Sequence, residues 1–291
     1  MQKTVKNVEF NYELDLGKIY FEKFQVVKKI KKGSQGKVYL VKNIFLDSLW
    51  ILKLVKNNDN IFKEEGILKL IDSRYFPKII DVFYKDDFVY IIEEYIKGQT
   101  LEKYFNKNLN METKEIIKIG KEIAKALNYL HKNNIIYRDL SPDNIIITPL
   151  KRVVIIDLGL CQFSYYKKGY KKSYKNYYIA PEEKEGVTST KQSDIYSLGM
   201  VLKRGILGKE FFKISNSYFK KIIDKKFLKI IKKATSKELN NRYNLTNDFL
   251  KDLENFENYL LKKKNKKIFL KGILLGLVIS IILKVVIVYL F

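Results

Sequence analysis

The segment from Tyr137 to Gly159 constrains this chain more than any other. It opens with Tyr-Arg-Asp-Leu-Ser-Pro-Asp-Asn, which contains Asp139 and Asn144, and it closes with Asp157-Leu-Gly after an apolar run. The order of these groups suits phosphoryl transfer. The carboxylate of Asp139 can accept a proton from a hydroxyl. The amide of Asn144 and the carboxylate of Asp157 can then serve as oxygen ligands for Mg²⁺ on ATP. Either half alone is a weak signal, but the two halves together predict a phosphoryl-transfer site.

These two motifs resemble the catalytic loop and the metal loop of eukaryotic-type (Hanks-type) protein Ser/Thr kinases, including bacterial membrane-anchored members. The resemblance extends over residues 20–260. It implies an α+β, two-lobed protein-kinase-like fold, with a small β-rich N-lobe over about 20–95 and a larger α-helical C-lobe over about 96–260. Strand-like patterns come before the long helical ones along the chain, which agrees with that architecture.

The stretch from Ile30 to Val38 resembles the glycine-rich loop of the family. Gly33 and Gly36 would let the backbone approach the phosphates of ATP and present N–H groups to them. The resemblance adds Val38 to the nucleotide-binding residues. The first glycine of the family motif is Lys31 here.

Lys53 lies on a short apolar strand, as the phosphate-binding lysine of the family does. The resemblance implies that Glu64, on a following helix, pairs with Lys53 and that this pair works as an activity switch. It also implies that Glu94 and Ile96 offer backbone groups to adenine in a hinge between the lobes, and that Ile146 lies against the base.

The resemblance gives each motif residue a chemical role. Asp139 is expected to be the catalytic base, Asn144 and Asp157 the metal ligands, and Lys53 with Glu64 the remaining catalytic pair. The expected cofactors are therefore ATP and Mg²⁺, with Mn²⁺ as an alternative metal, and the expected acceptors are proteins, including the chain itself.

The resemblance includes three further positions, Glu182, Asp194 and Arg242, that separate protein kinases from phosphotransferases that act on small molecules. Glu182 lies in an Ala-Pro-Glu sequence and is expected to form a buried two-point ion pair with Arg242. Asp194 is expected to accept backbone N–H bonds from the catalytic loop. His131 is interpreted as a structural residue.

Several residues depart from the family pattern. Tyr137 replaces the His before Arg-Asp, and Ser141 replaces the catalytic-loop Lys, whose charge Lys175 is expected to supply. Ile51 replaces the small residue above adenine. Glu93 stands just before the hinge, where an acid can compete for Lys53. An apolar column of Leu68, Tyr137 and Leu158 is expected to link the lobes.

Three functions remain open at this point. The first is an active Ser/Thr protein kinase, supported by the complete set of five catalytic residues. The second is a pseudokinase that acts as a membrane-bound interaction or scaffold module, which the changes at Ile51, Glu93 and Ser141 favour. The third is a kinase of small molecules, which Glu182, Asp194 and Arg242 disfavour.

Arg138 precedes the catalytic aspartate and is expected to need an anionic partner. A phosphate on Ser164, Ser173 or a nearby tyrosine would supply one and order the segment. The candidate tyrosines are 165, 166, 170 and 174. The alternative is a lysine-rich loop that is ordered by its substrate.

The formal net charge is +24, and only five of the 56 basic residues are Arg. The lysines are dispersed, so the charge is interpreted as a compositional bias, and no specific nucleic-acid partner is expected. The single cysteine, Cys161, excludes an intrachain disulfide and fits a reducing compartment.

The C-terminal region has a different character. Residues 272–291 carry one charge, Lys284, and twenty helical residues at about 1.5 Å each span roughly 30 Å, the thickness of a bilayer core. The segment 261–271 before it contains six lysines. The sequence therefore predicts a transmembrane helix at 272–291, a basic segment that contacts anionic headgroups, and a membrane location with the catalytic domain in the cytoplasm. A buried core helix is the alternative.

Overall fold

The computed structural model describes residues 12–32, 36–57, 66–67, 69–109, 111–165, 177–214 and 223–290, with side chains at all of these except 31, 32, 281 and 283–290. Gly33, Glu64, Leu68 and Lys175, which carry predictions made above, lie outside these residues. Ser173 and the candidate tyrosines 166, 170 and 174 do so as well.

A six-stranded antiparallel sheet forms the N-terminal part, in the order β1-β2-β3-β4-β6-β5. The strands are Ile19–Tyr20 (β1), Phe24–Lys32 (β2), Gly36–Asn43 (β3), Ser48–Lys56 (β4), Ile79–Lys85 (β5) and Phe88–Glu94 (β6). Alternate residues of each strand face opposite sides of the sheet. Leu52, Leu54 and Tyr90 therefore pack into one outer core with Leu14, whereas Ile91 packs into the core shared with the helical part.

Short strands and loops connect the sheet to the C-terminal part. The strands are Gln99–Thr100 (β7), Ile135–Ile136 (β8), Ile145–Ile147 (β9), Val153–Ile155 (β10) and Gln162–Phe163 (β11). Strands β9 and β10 form a hairpin that pairs on its other side with β7. The segment from Pro142 to Asn144 forms a 3₁₀ turn directly before β9. The catalytic and metal motifs thereby flank one small antiparallel hairpin.

Helices form most of the remaining chain. They are Leu101–Lys107 (α1), Thr113–Lys132 (α2), Pro181–Lys184 (α3), Lys191–Leu207 (α4), Lys225–Ala234 (α5) and Thr246–Leu290 (α6). Helix α2 buries an apolar stripe that includes Ile117, Ile123 and Leu127, all fully inaccessible, and each such side chain contributes about 1.5–3 kcal/mol. This stripe packs against α4 and the first part of α6. The strands followed by helices confirm the predicted two-lobed kinase-like fold.

Helix α6 is one continuous helix of 45 residues. Its first part is packed in the core through Phe249, Leu253 and Phe256, whereas the described side chains from residue 261 onward are exposed. Within the described ranges, no helix is long and apolar enough to cross a membrane. The transmembrane helix predicted at 272–291 therefore has no support from the described residues.

Candidate active site

The catalytic loop is held in place by a buried carboxylate beneath it. Asp194, on α4, accepts the backbone N–H of Tyr137 and of Arg138, both at 2.8 Å. His131 Nε2 lies 2.8 Å from Asp194 Oδ2, and His131 Nδ1 lies 2.6 Å from Thr246 Oγ1. Three helices are therefore joined under the loop, which confirms the predicted roles of Asp194 and His131.

Asn144 and Asp139 are bonded to each other within this loop. Asn144 Nδ2 donates to the Asp139 carboxylate at 2.7 Å and to its backbone carbonyl at 3.0 Å. Asn144 is buried and Asp139 is partly exposed. The side-chain amide thus orients a carboxylate that stays partly accessible to solvent.

Asp157 is brought next to Asn144 by the backbone. The N–H of Ile156 donates to the Asn144 carbonyl at 2.9 Å, and the Tyr137 hydroxyl donates to the Ile156 carbonyl at 2.6 Å. Burial raises the pKa of the Tyr137 hydroxyl far above its usual range, and the nearby carboxylate of Asp139 adds to the effect. Tyr137 therefore stays protonated and continues to donate. Asp157 adopts φ +66°, a left-handed conformation that is uncommon for a residue other than glycine.

The Asn144 and Asp157 pair fits a hard divalent cation. Because the Asn144 NH₂ group donates to Asp139, its carbonyl oxygen is the atom left to face a metal, and Asp157 adds a carboxylate whose side chain is 39% exposed. The described part of the chain contains no group of three or more His, Cys, Asp and Glu residues suited to a metal. Mg²⁺ is commonly held by one or two carboxylates together with phosphate oxygens, and Asn144 with Asp157 offers one amide oxygen and one carboxylate of this kind.

Lys53 lies between two carboxylates. Its Nζ atom is 2.9 Å from Glu93 Oε1 and 3.7 Å from Asp157 Oδ1. The side chains of Lys53 and Glu93 are only 10% and 6% exposed. Glu93 therefore contacts Lys53, as its position before the hinge predicted, and the predicted partner Glu64 is outside the described residues.

Two glycines, Gly36 on β3 and Gly98 after β6, allow close approach of neighbouring backbones. A Cβ atom on Gly36 would lie 2.4 Å from the Leu54 carbonyl oxygen, and one on Gly98 would lie 2.5 Å from the Ile147 carbonyl oxygen. Gly36 is thus required by the packing of β3 on β4, a constraint independent of any phosphate. Gly98 brings the segment after the hinge against β9, which carries Ile146.

The other residues that were predicted to bind nucleotide lie on β3, at the end of β6 and in the segment that follows it. Val38 is paired directly with Lys53 across β3 and β4, and both are at least partly buried. Glu94 ends β6, where its N–H donates to the Lys78 carbonyl at 2.8 Å, and Ile96 follows in the connecting segment. Tyr137 and Leu158 belong to the same buried core, so two members of the predicted apolar column lie in one cluster.

Arg138 has polar partners within the chain. Its Nε atom donates to Ser189 Oγ at 3.0 Å and its NH1 group donates to Gln162 Oε1 at 2.8 Å. The Ser189 hydroxyl donates in turn to the buried Glu183 carboxylate at 2.5 Å. Gln162, Ser189 and Glu183 were not predicted as site residues. The only sequence signal was that Glu183 directly follows the motif residue Glu182.

Glu182 and Arg242 form a two-point ion pair in the interior. The Glu182 oxygens lie 2.7 Å and 2.8 Å from the two terminal nitrogens of Arg242, and Ser193 Oγ donates to Glu182 at 2.7 Å. Burial alone would raise the pKa of Glu182, but the hydrogen bonds from Arg242 and Ser193 outweigh it and leave the pKa below its usual value. The predicted buried ion pair of Glu182 and Arg242 is confirmed.

Comparison with known families and proteins agrees with this geometry. A family model described as "Protein kinase domain" matches residues 24–269. Serine/threonine-protein kinase PrkC of Bacillus subtilis is 32% identical over 205 residues, which cover 67% of this chain and 32% of that protein. Probable serine/threonine-protein kinase PknB of Lactococcus lactis is 26% identical over 288 residues, which cover 89% of this chain and 46% of that protein.

The similarity extends beyond bacteria. Calcium-dependent protein kinase 4 of Plasmodium berghei is 28% identical over 214 residues, which cover 69% of this chain and 40% of that protein. The chain spans less than half the length of each of these relatives.

Proposed function

The chain belongs to the eukaryotic-type protein serine/threonine kinase family, and we propose that it transfers the γ-phosphoryl group of Mg-ATP to Ser or Thr hydroxyls of proteins, including its own. In this proposal Asp139 accepts or orients the proton of the acceptor hydroxyl. Asn144 holds the carboxylate of Asp139 through one hydrogen bond and its backbone carbonyl through another. Burial of Asn144 and the bonds to Asp194 keep that geometry fixed before a substrate arrives.

The remaining residues bind and neutralise the nucleotide. Lys53 supplies a cation for the phosphates, and Asn144 and Asp157 supply the oxygens that would hold Mg²⁺ or Mn²⁺. Bound metal contributes positive charge that offsets the charge on the transferring phosphoryl group. Val38 and Ile146 line the space for the base, and the backbone groups of Glu94 and Ile96 are the proposed contacts to adenine.

The observation that carries this proposal is the connection between the two motifs. The backbone bond from Ile156 to Asn144 and the Asn144–Asp139 bond join the metal loop to the catalytic carboxylate. The test is incubation of the purified chain with radiolabelled ATP, Mg²⁺ and an acceptor protein, followed by phosphoamino-acid analysis. Phosphoserine and phosphothreonine that disappear on metal chelation are expected, whereas phosphotyrosine alone would overturn the Ser/Thr proposal.

The Lys53–Glu93 ion pair also admits a second candidate, a pseudokinase that acts as an interaction or scaffold module. If Glu93 withholds Lys53 from phosphates, the fold would bind partners without transferring phosphate. Nucleotide binding with no transfer to any acceptor, including itself, would favour this function. Transfer that is lost in Asp139→Asn would exclude it.

We also propose that the surface of α6 contacts anionic lipid headgroups. Lysines 262, 263, 264, 266, 267 and 271 are exposed, as are the apolar side chains at Ile273, Leu274 and Leu277, and each lysine near an anionic surface contributes about 1 kcal/mol. Flotation with vesicles should show binding that requires anionic lipid and weakens when the six lysines are changed to Gln. Equal binding to neutral vesicles would contradict an electrostatic contact. Membrane insertion and the cytoplasmic location stay sequence-based predictions.

A further inference from the structure

We propose that Glu93 is a positioning residue for phosphoryl transfer, which holds the Lys53 ammonium in place from a strand of the sheet. The family resemblance gives this role to Glu64 on a helix. This inference rests on the proposed kinase function and adds to it the way in which the phosphate-binding lysine is fixed. Two neighbouring strands then define the position of the ammonium.

The strand register places the two side chains on one face. In the β4–β6 pair, Glu93 lies opposite Ile51, and Lys53 lies opposite Ile91. Residues two apart on a strand point to the same side, so Lys53 and Glu93 are diagonal neighbours within reach of long side chains. The observed 2.9 Å separation of Nζ and Oε1 is the result. The pair thus follows directly from the sheet.

The backbone of Glu93 is fixed on both sides. Strand β6 lies between β4 and β5, and Glu93 is paired with Ile51 on one side and with Ile79 on the other. The next residue, Glu94, donates its N–H to Lys78. A carboxylate on such a strand moves little, so its hold on Lys53 does not depend on the orientation of a separate helix.

The charges explain why this hold is productive. Lys53 Nζ lies 2.9 Å from Glu93 and 3.7 Å from Asp157, so the pair already places the ammonium next to a proposed metal ligand. Without Glu93, the buried ammonium would keep Asp157 as its nearest carboxylate among those that the structure describes. Lys53 would then compete with Mg²⁺ for Asp157. Glu93 therefore keeps Lys53 available to phosphates and Asp157 available to the metal.

The test is a double-mutant cycle of Lys53→Met and Glu93→Gln, read by the affinity for Mg-ATP and by the Mg²⁺ concentration that nucleotide binding requires. Loss of one partner of a buried charge pair should weaken Mg-ATP binding by at least about tenfold in Glu93→Gln. The same change in the Lys53→Met background should have an effect of less than about twofold, because the two residues act through one contact. The Mg²⁺ requirement should rise in Glu93→Gln.

Asp86→Asn is the matched control. Asp86 lies at the other end of β6, in the exposed turn that follows β5, with φ +53°, a conformation that Asn tolerates. The Asp86→Asn variant removes one negative charge from the same hairpin and should leave the Mg-ATP affinity at the wild-type value. Glu93→Asp keeps the charge and should retain part of the Mg-ATP affinity. If circular dichroism shows that Glu93→Gln is unfolded, Glu93→Asp replaces it in the cycle.

Affinity for Mg-ATP in Glu93→Gln equal to or above wild type would overturn the proposal, since Glu93 would then be neutral or would compete for Lys53. The proposal would also be overturned if Glu93→Gln lowered the Mg-ATP affinity equally in the wild-type and the Lys53→Met backgrounds. Binding is measured without turnover, so the cycle decides the role of Glu93 even if no phosphate is transferred. If the cycle shows the expected coupling but no phosphate is transferred, only the proposed kinase activity is contradicted.

Discussion

Asn144 Nδ2 lies 2.7 Å from Asp139 Oδ2, so the amide that we assign to the metal also holds the catalytic carboxylate. Removing this side chain should affect both roles together. Asn144→Ala is expected to lower kcat by about 10²-fold or more, since misplacing a reacting group by about 1 Å has an effect of that size, and to raise the Mg²⁺ requirement. Steady-state kinetics at varied Mg²⁺ measure both. Normal kcat with only a raised Mg²⁺ requirement would show that Asp139 is oriented without Asn144.

The buried Glu182–Arg242 bridge should dominate the stability of the C-terminal part. Arg242→Ala leaves Glu182 charged in the interior and should reduce the free energy of unfolding by about 3–5 kcal/mol. Arg74→Ala is the matched control, because Arg74 pairs with Glu122 at 3.0 Å on the exposed surface, where such pairs contribute about 0–1 kcal/mol. Urea unfolding of both variants gives the comparison. A similarly small loss of unfolding free energy in Arg242→Ala and Arg74→Ala would contradict the role of the buried bridge in stability.

The same bridge predicts a pH dependence. The pKa of Glu182 is lower in the folded chain than its ordinary value of 4.5, so the stability that it contributes is fully present above about pH 4.5 and is lost as the pH falls through the folded pKa. Arg242→Ala should lose this part of the acid sensitivity. Urea unfolding between about pH 3 and 6 tests it. Parallel profiles for wild type and Arg242→Ala would contradict the lowered pKa.

Arg138 is already bonded through Ser189 to the buried Glu183 and directly to Gln162. These bonds, rather than a phosphate on Ser164, should position the catalytic loop. Ser189→Ala is therefore expected to lower kcat by about tenfold with a small change in the KM for ATP, and Ser164→Ala should retain wild-type kcat. The opposite pattern, with Ser164→Ala inactive and Ser189→Ala active, would restore the phosphate-dependent switch.

Gly98 permits the contact between the segment after the hinge and β9. Gly98→Ala would place its Cβ 2.5 Å from the Ile147 carbonyl oxygen and 2.6 Å from an Ile146 methyl group, which should reduce stability by about 1–3 kcal/mol and weaken ATP binding. Gly272→Ala is the control, because Gly272 has no heavy atom within 4 Å of a built Cβ and lies in a helix, where Ala is favoured. Thermal unfolding with and without nucleotide compares them. Equal melting temperatures would contradict the close approach.

The parts of the site that the sequence predicted are those fixed by motif spacing. The partners of Asp194 and the Glu182–Arg242 pair follow from short sequences whose order is tied to one fold. The partners of Arg138 were missed because Gln162 lies on the two-residue strand β11 and Ser189 in the loop before α4, and neither segment is long enough to show a periodic signal. Predicting the contact of Lys53 with Glu93 requires the register of β4 on β6. An acid before the hinge suggests such a contact but does not give the register.

The C-terminal prediction came from the hydropathy and length of residues 272–291 and from the lysines that precede them. The apolar character of 272–291 suggested a separate element, whereas the structure continues a single helix from Thr246. Gly272 stands at the predicted boundary, but the helix continues through it without interruption, because a single glycine lowers helix propensity by only about 1 kcal/mol. Hydropathy does not report where such a helix begins or what the upstream half packs against.

Phosphoryl transfer with Asp139 as the catalytic base is the centre of the proposed mechanism. The most direct measurement is the rate of phosphate incorporation from radiolabelled ATP by wild type, Asp139→Asn and Asp143→Asn, in which Asp143 is an exposed carboxylate of the same loop. We expect Asp139→Asn to lose at least about 10²-fold in rate while its melting temperature is unchanged, and Asp143→Asn to match wild type. Incorporation by Asp139→Asn at the wild-type rate, or none by the folded wild type, would contradict the account.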